Sequence, residues 1–129
     1  MREMAYRLRE GDDLKQFIED VCKNSDTVVV LSAVGSLKKA KIRLADAKDY
    51  LEETQNYEIV SLTGTISHGK AHLHISFADE KGNVFGGHLE KGCIIYTTCE
   101  LVLYELEDYS SIRDFDPQTG YKEIIFEKK

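Results

Sequence analysis

Three of the four histidines in this chain lie in one short stretch, and their spacing suits metal binding. His72 and His74 are separated by one residue, so in a β-strand both imidazoles point to the same face, about 7 Å apart. The Asp79–Gly82 segment that follows is typical of a three-residue hairpin loop, which places His88 directly opposite His74. Three neutral imidazoles so placed can hold a divalent metal ion and leave one coordination position open.

The apolar residues of the same stretch test this register independently. The pairing sets Phe85 opposite Phe77, and Leu73 and Ile75 lie on the same apolar face. A slip of one residue would bury His88 and expose its apolar neighbours, so the alternation argues against it. One face of the hairpin is therefore predicted to be apolar and the other to carry the histidines.

The preceding strand predicts the same arrangement through a separate turn. Glu58–Ser67 has a strand pattern, and His68-Gly69 resembles a two-residue hairpin turn, which places His68 at the surface. This pairing sets Thr65 and Thr63 opposite the first two histidines, again on a polar face. Two turn signals thus assign the histidines to one side of the sheet.

Outside these hairpins the pattern predicts one helix and several further strands. Apolar residues recur at helical spacing over 13–24, which indicates an amphipathic helix packed on a sheet. Further strands are predicted at 4–8, 27–34, 40–44, 93–106 and 122–126. Gly35-Ser36 is expected to interrupt the strand before it, and 46–57 to form a loop with one helical turn. The expected fold class is α/β, of the α+β type: a mostly antiparallel sheet with one main amphipathic helix.

Composition limits the classes of protein to consider. The chain has 129 residues, 42% of them hydrophobic, which fits one globular domain over 1–129. It contains no apolar run long enough for a membrane span and no signal-peptide centre at its start, so a cytoplasmic protein without membrane contact is expected.

Cys22, Cys93 and Cys99 have no close CxxC spacing and are expected to be buried free thiols. The net charge of −6 opposes non-specific DNA binding.

Several short motifs occur together in the order of a known family. They are YEIVSLTG at 57–64, HLHIS at 72–76, the turn at 79–82, GGHL at 86–89, Gly92, TCE at 98–100, and Gly35-Ser36 further upstream. Together they resemble the plants-and-prokaryotes conserved (PPC) domain, which accompanies AT-hooks in plant nuclear proteins and occurs alone in bacteria and archaea. The similarity spans about residues 5–106, so 107–129 is expected to be a C-terminal extension.

The resemblance implies a homotrimer of α/β subunits, and its free-standing members are often labelled as predicted DNA-binding proteins. This chain has no Arg-Gly-Arg-Pro core, so the AT-hook that grips DNA in the plant proteins is missing. The function expected is that of a stand-alone, trimer-forming binding and assembly module. It would carry a histidine-lined site for a metal ion or small ligand and have a regulatory, DNA-associated role.

Two interpretations of the three histidines follow. In the first, His72, His74 and His88 bind a metal ion, with zinc favoured as the cofactor and Glu100 orienting one ring. In the second, they fill a cleft between subunits and hydrogen-bond to Thr63, Thr65 and Glu100. Glu100 itself could instead form a salt bridge in the sheet.

Two glycines and one carboxylate extend these interpretations. Gly86 and Gly87 relieve steric crowding, let a ligand or a neighbouring subunit approach the backbone, or host a bulge that turns His88 away. As an alternative to a binding module, a metal-dependent hydrolase- or lyase-like enzyme would use Glu100 as general base. The chain contains no nucleophile elbow, phosphate loop or dinucleotide fingerprint, so no catalytic residue is assigned.

Lys38, Lys39, Lys41 and Arg43 form the only dense basic segment. A solvated strand face, or a device that keeps a sheet edge from aggregating, is the favoured interpretation. Contact with nucleic-acid phosphates is the alternative.

Overall fold

A computed structural model describes residues 2–129 and contains one antiparallel sheet of seven strands, one helix and a separate two-stranded hairpin. The main path of the sheet runs β1-β7-β2-β4-β5-β6, with β3 paired to β2. The elements are β1 Arg2–Arg9, α1 Leu14–Val21, β2 Thr27–Arg43, β3 Tyr50–Glu53, β4 Tyr57–Ser67, β5 Lys70–Ala78, β6 Val84–Leu89, β7 Ile94–Glu105, β8 Tyr109–Asp116 and β9 Tyr121–Lys128. The expected fold class, a mostly antiparallel sheet with one main helix, is confirmed.

The helix is shorter than the apolar stripe predicted. Asp13 caps its first turn by accepting a hydrogen bond from the backbone N–H of Gln16 at 3.0 Å. Leu14 and Ile18 are fully buried against the sheet, and the Phe17 ring meets Tyr6 edge to face at 5.3 Å. Burial of these side chains fixes the helix on the apolar face, the side opposite the histidines.

Strand β2 is the main departure from the expected elements. Gly35-Ser36 does not interrupt it, and the two predicted strands are one strand of 17 residues with register irregularities between Val30 and Lys39. Gly35 allows a close crossing of two strands, because a Cβ there would lie 2.3 Å from the carbonyl oxygen of Thr98. The strand bends at these points instead of ending.

Strand β2 pairs with β4 and with β6 on its two opposite edges, since Ile42 pairs with both Leu51, which continues the edge of β4, and Leu89. Its first residues pair with β4, while Ile42 and Arg43 at its end pair with Leu89 and His88 of β6. Strands β2, β4, β5 and β6 therefore form a closed ring, which brings Arg43 next to a histidine far away in sequence.

Two further strands occupy segments expected to be irregular. Tyr50–Glu53 lies in the predicted loop and pairs with the end of β2. Tyr109–Asp116 lies in the C-terminal extension, where a strand was predicted only at 122–126, and forms a hairpin with β9. Ser111 docks that hairpin on the sheet: it is 2% exposed, its hydroxyl contacts the hydroxyls of Thr27 and Ser67, and its N–H donates to Asp26.

The core and the cysteines agree with the sequence pattern. Phe77, Leu73, Ile75 and Leu89 are buried on the apolar face of the histidine hairpin. All three cysteines are free and buried, as expected. Within residues 2–129, no helix has the length and apolar character needed to cross a bilayer.

Candidate metal centre

The three histidines meet on the polar face of β5 and β6. His74 pairs directly with His88, as the turn at Asp79–Gly82 requires, and the Asp79 N–H donates to the Asn83 carbonyl at 2.9 Å. The ring centroids of His72, His74 and His88 lie 5.3 to 5.9 Å apart. One ring nitrogen from each histidine lies within 4.8 Å of the others. The sequence prediction that these imidazoles converge is borne out by this geometry.

The second turn has the conformation that its sequence predicts. His68 has a φ of 48° and Gly69 a φ of 80°, both left-handed, which is the conformation of a two-residue hairpin turn. Ser67 pairs with Lys70, so Thr65 and Thr63 lie opposite His72 and His74. His68 itself is exposed and separate from the cluster, with a ring nitrogen 2.7 Å from the Ser111 carbonyl oxygen.

The electrostatic surroundings keep two of the imidazoles neutral. Burial, followed by the positive charge of Arg43, lowers the pKa of His88 to about 4. Burial, followed by the charge of Arg113, also lowers the pKa of His72. Neutral imidazole is the form that ligates a metal ion, so at neutral pH these rings need lose no proton to bind one.

The donor set fits a zinc ion after a small rearrangement. Zinc–nitrogen bonds of about 2.1 Å in a tetrahedron place ligand nitrogens about 3.4 Å apart. The nitrogens here lie within 4.8 Å, and the rings of His72 and His74 stand on the exposed face of the strand. Rotation of these side chains about χ1 and χ2 can therefore bring the three ring nitrogens to the separation that zinc requires, while the backbone of the sheet stays in place.

The nearest carboxylate to this cluster is Glu90. Its Oε2 lies 3.7 Å from Nε2 of His88, and Glu90 is one residue beyond the end of β6. A carboxylate in this position orients and polarises a ligating imidazole. Glu90 therefore lies beside the cluster, in the place where Glu100 was expected.

Glu100 lies elsewhere in the subunit. It pairs with Val34 of β2 and Arg7 of β1 on the exposed face of the sheet. Strands β2 and β4 separate its strand from β5, so the expectation that Glu100 orients a histidine is wrong within one chain. The alternative in which the histidines fill a cleft between subunits and hydrogen-bond to Thr63, Thr65 and Glu100 involves a second subunit and stays a prediction.

The histidines open into a cavity of about 780 Å³. It is bounded by β5, β6, the end of β2 with the turn after it, and the C-terminal hairpin. Its lining residues are Arg43, Leu44, Ala45, Asp46, Ala47, Lys70, Ala71, His72, His74, Gly86, Gly87, His88, Arg113, Tyr121, Lys122 and Glu123. The volume is in the range of sites that hold small organic ligands.

Both predicted glycines line this cavity, and one of them is sterically required. A Cβ on Gly87 would lie 2.6 Å from the carbonyl oxygen of Arg43, whereas the nearest atom to a Cβ on Gly86 is the Ile75 carbonyl oxygen at 3.0 Å. The β5–β6 ladder runs regularly through both residues, so no bulge turns His88 away. Gly87 therefore serves the close approach of β6 to β2.

The basic segment 38–43 divides into two parts. Lys38 lies 3.4 Å from Glu10, Lys39 lies 3.6 Å from Glu52, and Lys41 stacks over a tyrosine ring at 5.6 Å. Only Arg43 joins the histidine cavity. The three lysines are thus engaged within the chain and do not form a continuous phosphate-binding surface with Arg43.

Sequence reasoning missed Arg113, Glu90, Glu123 and the strained turn at 45–47. Asp46 and Ala47 have left-handed φ values of 73° and 56° beside the cavity, and no glycine or asparagine announces this turn. Arg113 lies on β8, for which no strand was predicted, and Glu123 lies on β9, where a strand was predicted at 122–126. The only available signal was the short strand pattern at 122–126.

The comparisons with known proteins identify the family. The sequence model of the Plants and Prokaryotes Conserved (PCC) domain matches residues 1–107. The chain therefore belongs to this family, and the resemblance to the PPC domain is confirmed. The match ends just before the C-terminal hairpin.

Sequence relatives and solved structures extend over nearly the whole chain. A protein of Synechococcus sp. strain JA-3-3Ab named "Bifunctional protein GlmU" is 44% identical over 131 residues, which are 99% of this chain and 21% of the relative. The chain thus spans about a fifth of the length of the curated relatives it matches.

Among solved structures, a hypothetical protein of Salmonella has a TM-score of 0.90 at 30% identity, covering 99% of this chain and 94% of that one. The metal-containing protein AF0104 of Archaeoglobus fulgidus has a TM-score of 0.80 at 29% identity, covering 97% and 94%. A Ralstonia eutropha JMP134 protein whose name proposes DNA binding has a TM-score of 0.70 at 25% identity, covering 93% and 88%.

Proposed function

We propose that this chain is a binding module in which His72, His74 and His88 bind one divalent metal ion. Zinc is the favoured metal. The observation that carries the proposal is the convergence of three ring nitrogens within 4.8 Å of one another on two paired strands. The structural relative described as a metal-containing protein supports it.

Zinc is favoured by the type and number of ligands. Neutral imidazole suits zinc, and three protein ligands leave a fourth tetrahedral position for water or a ligand. The Glu90 carboxylate near His88 supplies the outer contact that such ligands usually have. The open position faces the cavity, so we propose that a small ligand binds there.

Metal analysis of protein purified without a polyhistidine tag tests this proposal. Wild type should contain close to one equivalent of metal per chain, and His74→Ala should contain almost none. His68→Asn is the matched control, because it removes a histidine outside the cluster and asparagine tolerates the left-handed turn. Equal metal content in wild type and His74→Ala would refute the metal site.

We further propose that the chain assembles as a homotrimer, which the family resemblance implies. The sheet exposes large apolar side chains on three strands: Val34 is 59% exposed, Val60 56% and Tyr96 40%. Burial of exposed apolar side chains of this kind against another subunit would lower the free energy of the protein. Light scattering should report about 44 kDa, three times the chain mass of 14.7 kDa. A mass of one chain at micromolar concentration would contradict it.

Direct DNA binding is the weaker alternative for this chain. Lys38, Lys39 and Lys41 interact within the subunit, and the net charge is −6. A DNA-associated role would therefore have to come from the assembly or its partners. Binding to duplex DNA that weakens steeply with salt and is lost in Lys39→Glu plus Lys41→Glu would favour direct binding instead.

An enzyme acting at the metal remains the other alternative, with the general base reassigned. Glu100 lies away from the histidines, while Glu123 lines the cavity. Chelator-sensitive hydrolysis of an ester, phosphate or lactone that is lost in Glu123→Gln would favour catalysis over binding.

A further inference from the structure

The cavity at the histidines carries an excess of positive charge in an otherwise acidic chain. Four cationic and two anionic side chains line it, and the chain as a whole carries a net charge of −6. The cations are Arg43, Lys70, Arg113 and Lys122, and the carboxylates are Asp46 and Glu123. The positive charge is thus concentrated where the three histidines lie.

The two arginines approach the histidines from separate elements. Arg43 is the direct pairing partner of His88 across the β2–β6 ladder. Arg113 is on β8 and donates a hydrogen bond to Oγ1 of Thr65, which pairs with His72. The cluster is therefore flanked by guanidinium groups on two sides.

The guanidinium groups of Arg43 and Arg113 have N–H donors that are available to a ligand. Among residues 2–129, neither Arg43 nor Arg113 has a carboxylate within 4.0 Å. Within the same residues Arg113 donates one side-chain hydrogen bond, to Thr65, although a guanidinium offers five N–H donors. Half-buried arginines without an acidic partner can bind a carboxylate or phosphate in a bidentate manner.

We infer that the ligand of this cavity is a small organic oxyanion, carrying a phosphate or a carboxylate, held by Arg43 and Arg113 beside the histidine cluster. The inference rests on the proposed metal site, whose open position would take one oxygen of the same anion. The cavity volume of about 780 Å³ exceeds what an inorganic ion fills, and Leu44, Ala71 and Tyr121 offer apolar surface for an organic body.

The shape of the site favours a small molecule over a nucleic-acid backbone. The cations lie around one concave cavity between two sheets, and the lysines that could extend a phosphate track along β2 are engaged elsewhere. A duplex needs a long basic surface, whereas one anionic group needs two convergent donors.

Calorimetric titration of metal-loaded protein with inorganic phosphate and, separately, acetate tests the inference. Arg43→Gln and Arg113→Gln should each weaken binding of the preferred probe about 10- to 100-fold, the usual loss for a charge-assisted hydrogen bond. Lys39→Gln, which removes a β2 cation outside the cavity, should bind as wild type. Thermal unfolding of each variant shows that it is folded, and a duplex oligonucleotide added as competitor should not displace the probe.

Metal content measured on the same samples separates this inference from the proposed function. Phosphate or acetate binding that depends on the arginines, in protein that takes up no metal, would support the anion site and refute the metal site. Full metal content with no binding of either probe, or with equal affinity in wild type and the arginine variants, would overturn the anion site alone. Loss of both readouts in wild type would overturn both, and displacement by the duplex would assign the cations to nucleic acid.

Discussion

Gly86 and Gly87 are adjacent in β6, yet alanine should destabilise the fold at Gly87 and have little effect at Gly86. A Cβ on Gly87 would lie 2.6 Å from the Arg43 carbonyl oxygen and 3.3 Å from Cδ1 of Ile42. A Cβ on Gly86 meets nothing closer than the Ile75 carbonyl oxygen at 3.0 Å, which needs to move by only a few tenths of an ångström. Both nearest atoms, of Arg43 and of Ile75, are backbone carbonyl oxygens within a ladder, but the distance of 2.6 Å at Gly87 is below any that real Cβ atoms tolerate, so a strand must shift.

The expected free energies of unfolding follow from two opposing terms. Overpacking of a tight site costs about 1–3 kcal/mol, and a contact of 2.6 Å with backbone belongs to the upper half of that range. Alanine also restricts the unfolded chain relative to glycine, which stabilises both variants by about 0.4–1 kcal/mol. The net loss for Gly87→Ala is therefore about 1–2.6 kcal/mol, while Gly86→Ala should differ from wild type by about 0.5 kcal/mol or less.

The same displacement should reach the metal centre. Separation of β6 from β2 moves His88, which pairs with Arg43 and follows Gly87 directly. Metal affinity should fall about tenfold in Gly87→Ala, comparable to the loss of a residue that supports a ligand, and remain near wild type in Gly86→Ala. Urea unfolding and competition with a chromogenic chelator measure the two quantities. Equal stability of the two variants, or a larger loss for Gly86→Ala, would refute the assignment of Gly87 to the strand contact.

Three further outcomes test the core, the thiols and the helix cap. Phe77→Ala should destabilise the fold by about 3–5 kcal/mol in urea unfolding, because the ring is fully buried on the apolar side of the histidine hairpin; a loss below 1 kcal/mol would contradict this packing. Burial raises the pKa of all three cysteine thiols to about 11, so the reactive thiolate forms only as the pH approaches that value. Iodoacetamide at pH 8 should therefore leave the folded protein unmodified and alkylate it in urea, and rapid labelling of the native protein would be the contrary result. Asp13→Ala should cost about 1–2 kcal/mol, since the carboxylate accepts from the N–H groups of Gln16 and Gly92, and Asp13→Asn should restore most of the loss.

The histidine hairpins could be derived from sequence because their information is local. Each turn has a residue pattern that specifies its length, and a known length sets which residues face each other. Alternation of polar and apolar side chains then identifies the buried face. The convergence of His72, His74 and His88 needed no knowledge of the remaining sheet.

Gly35 shows why the length of β2 could not be predicted. A glycine followed by serine is a common end of a strand, but it also permits the backbone of a neighbour to come close. The deciding fact is the Thr98 carbonyl oxygen, 63 residues further along the chain. Only the packed structure distinguishes the two meanings of the same dipeptide.

Glu100 was misplaced because strand order is not a local property. Its strand, β7, directly follows the histidine strands along the chain. In the sheet, however, β7 pairs with β1 and β2 and not with β5 or β6. Glu90 was within reach of the same reasoning, since it follows His88 by two residues along the chain. A carboxylate that contacts a histidine on a strand is thus better sought first among the residues that follow that histidine in sequence.

The positive charge around the histidines arises from contacts that no turn specifies. Arg43 reaches His88 only because β2 bends enough to pair with β6, and Arg113 arrives on a hairpin beyond the region matched by the family model. The position of the three histidines thus follows from local sequence, whereas the two arginines depend on the closure of the ring and the docking of Ser111. Since Ser111 holds the hairpin that carries Arg113, loss of that docking should weaken anion binding and leave the metal ligands in place. The three histidines of the proposed metal site and the two arginines of the proposed anion site can therefore change separately.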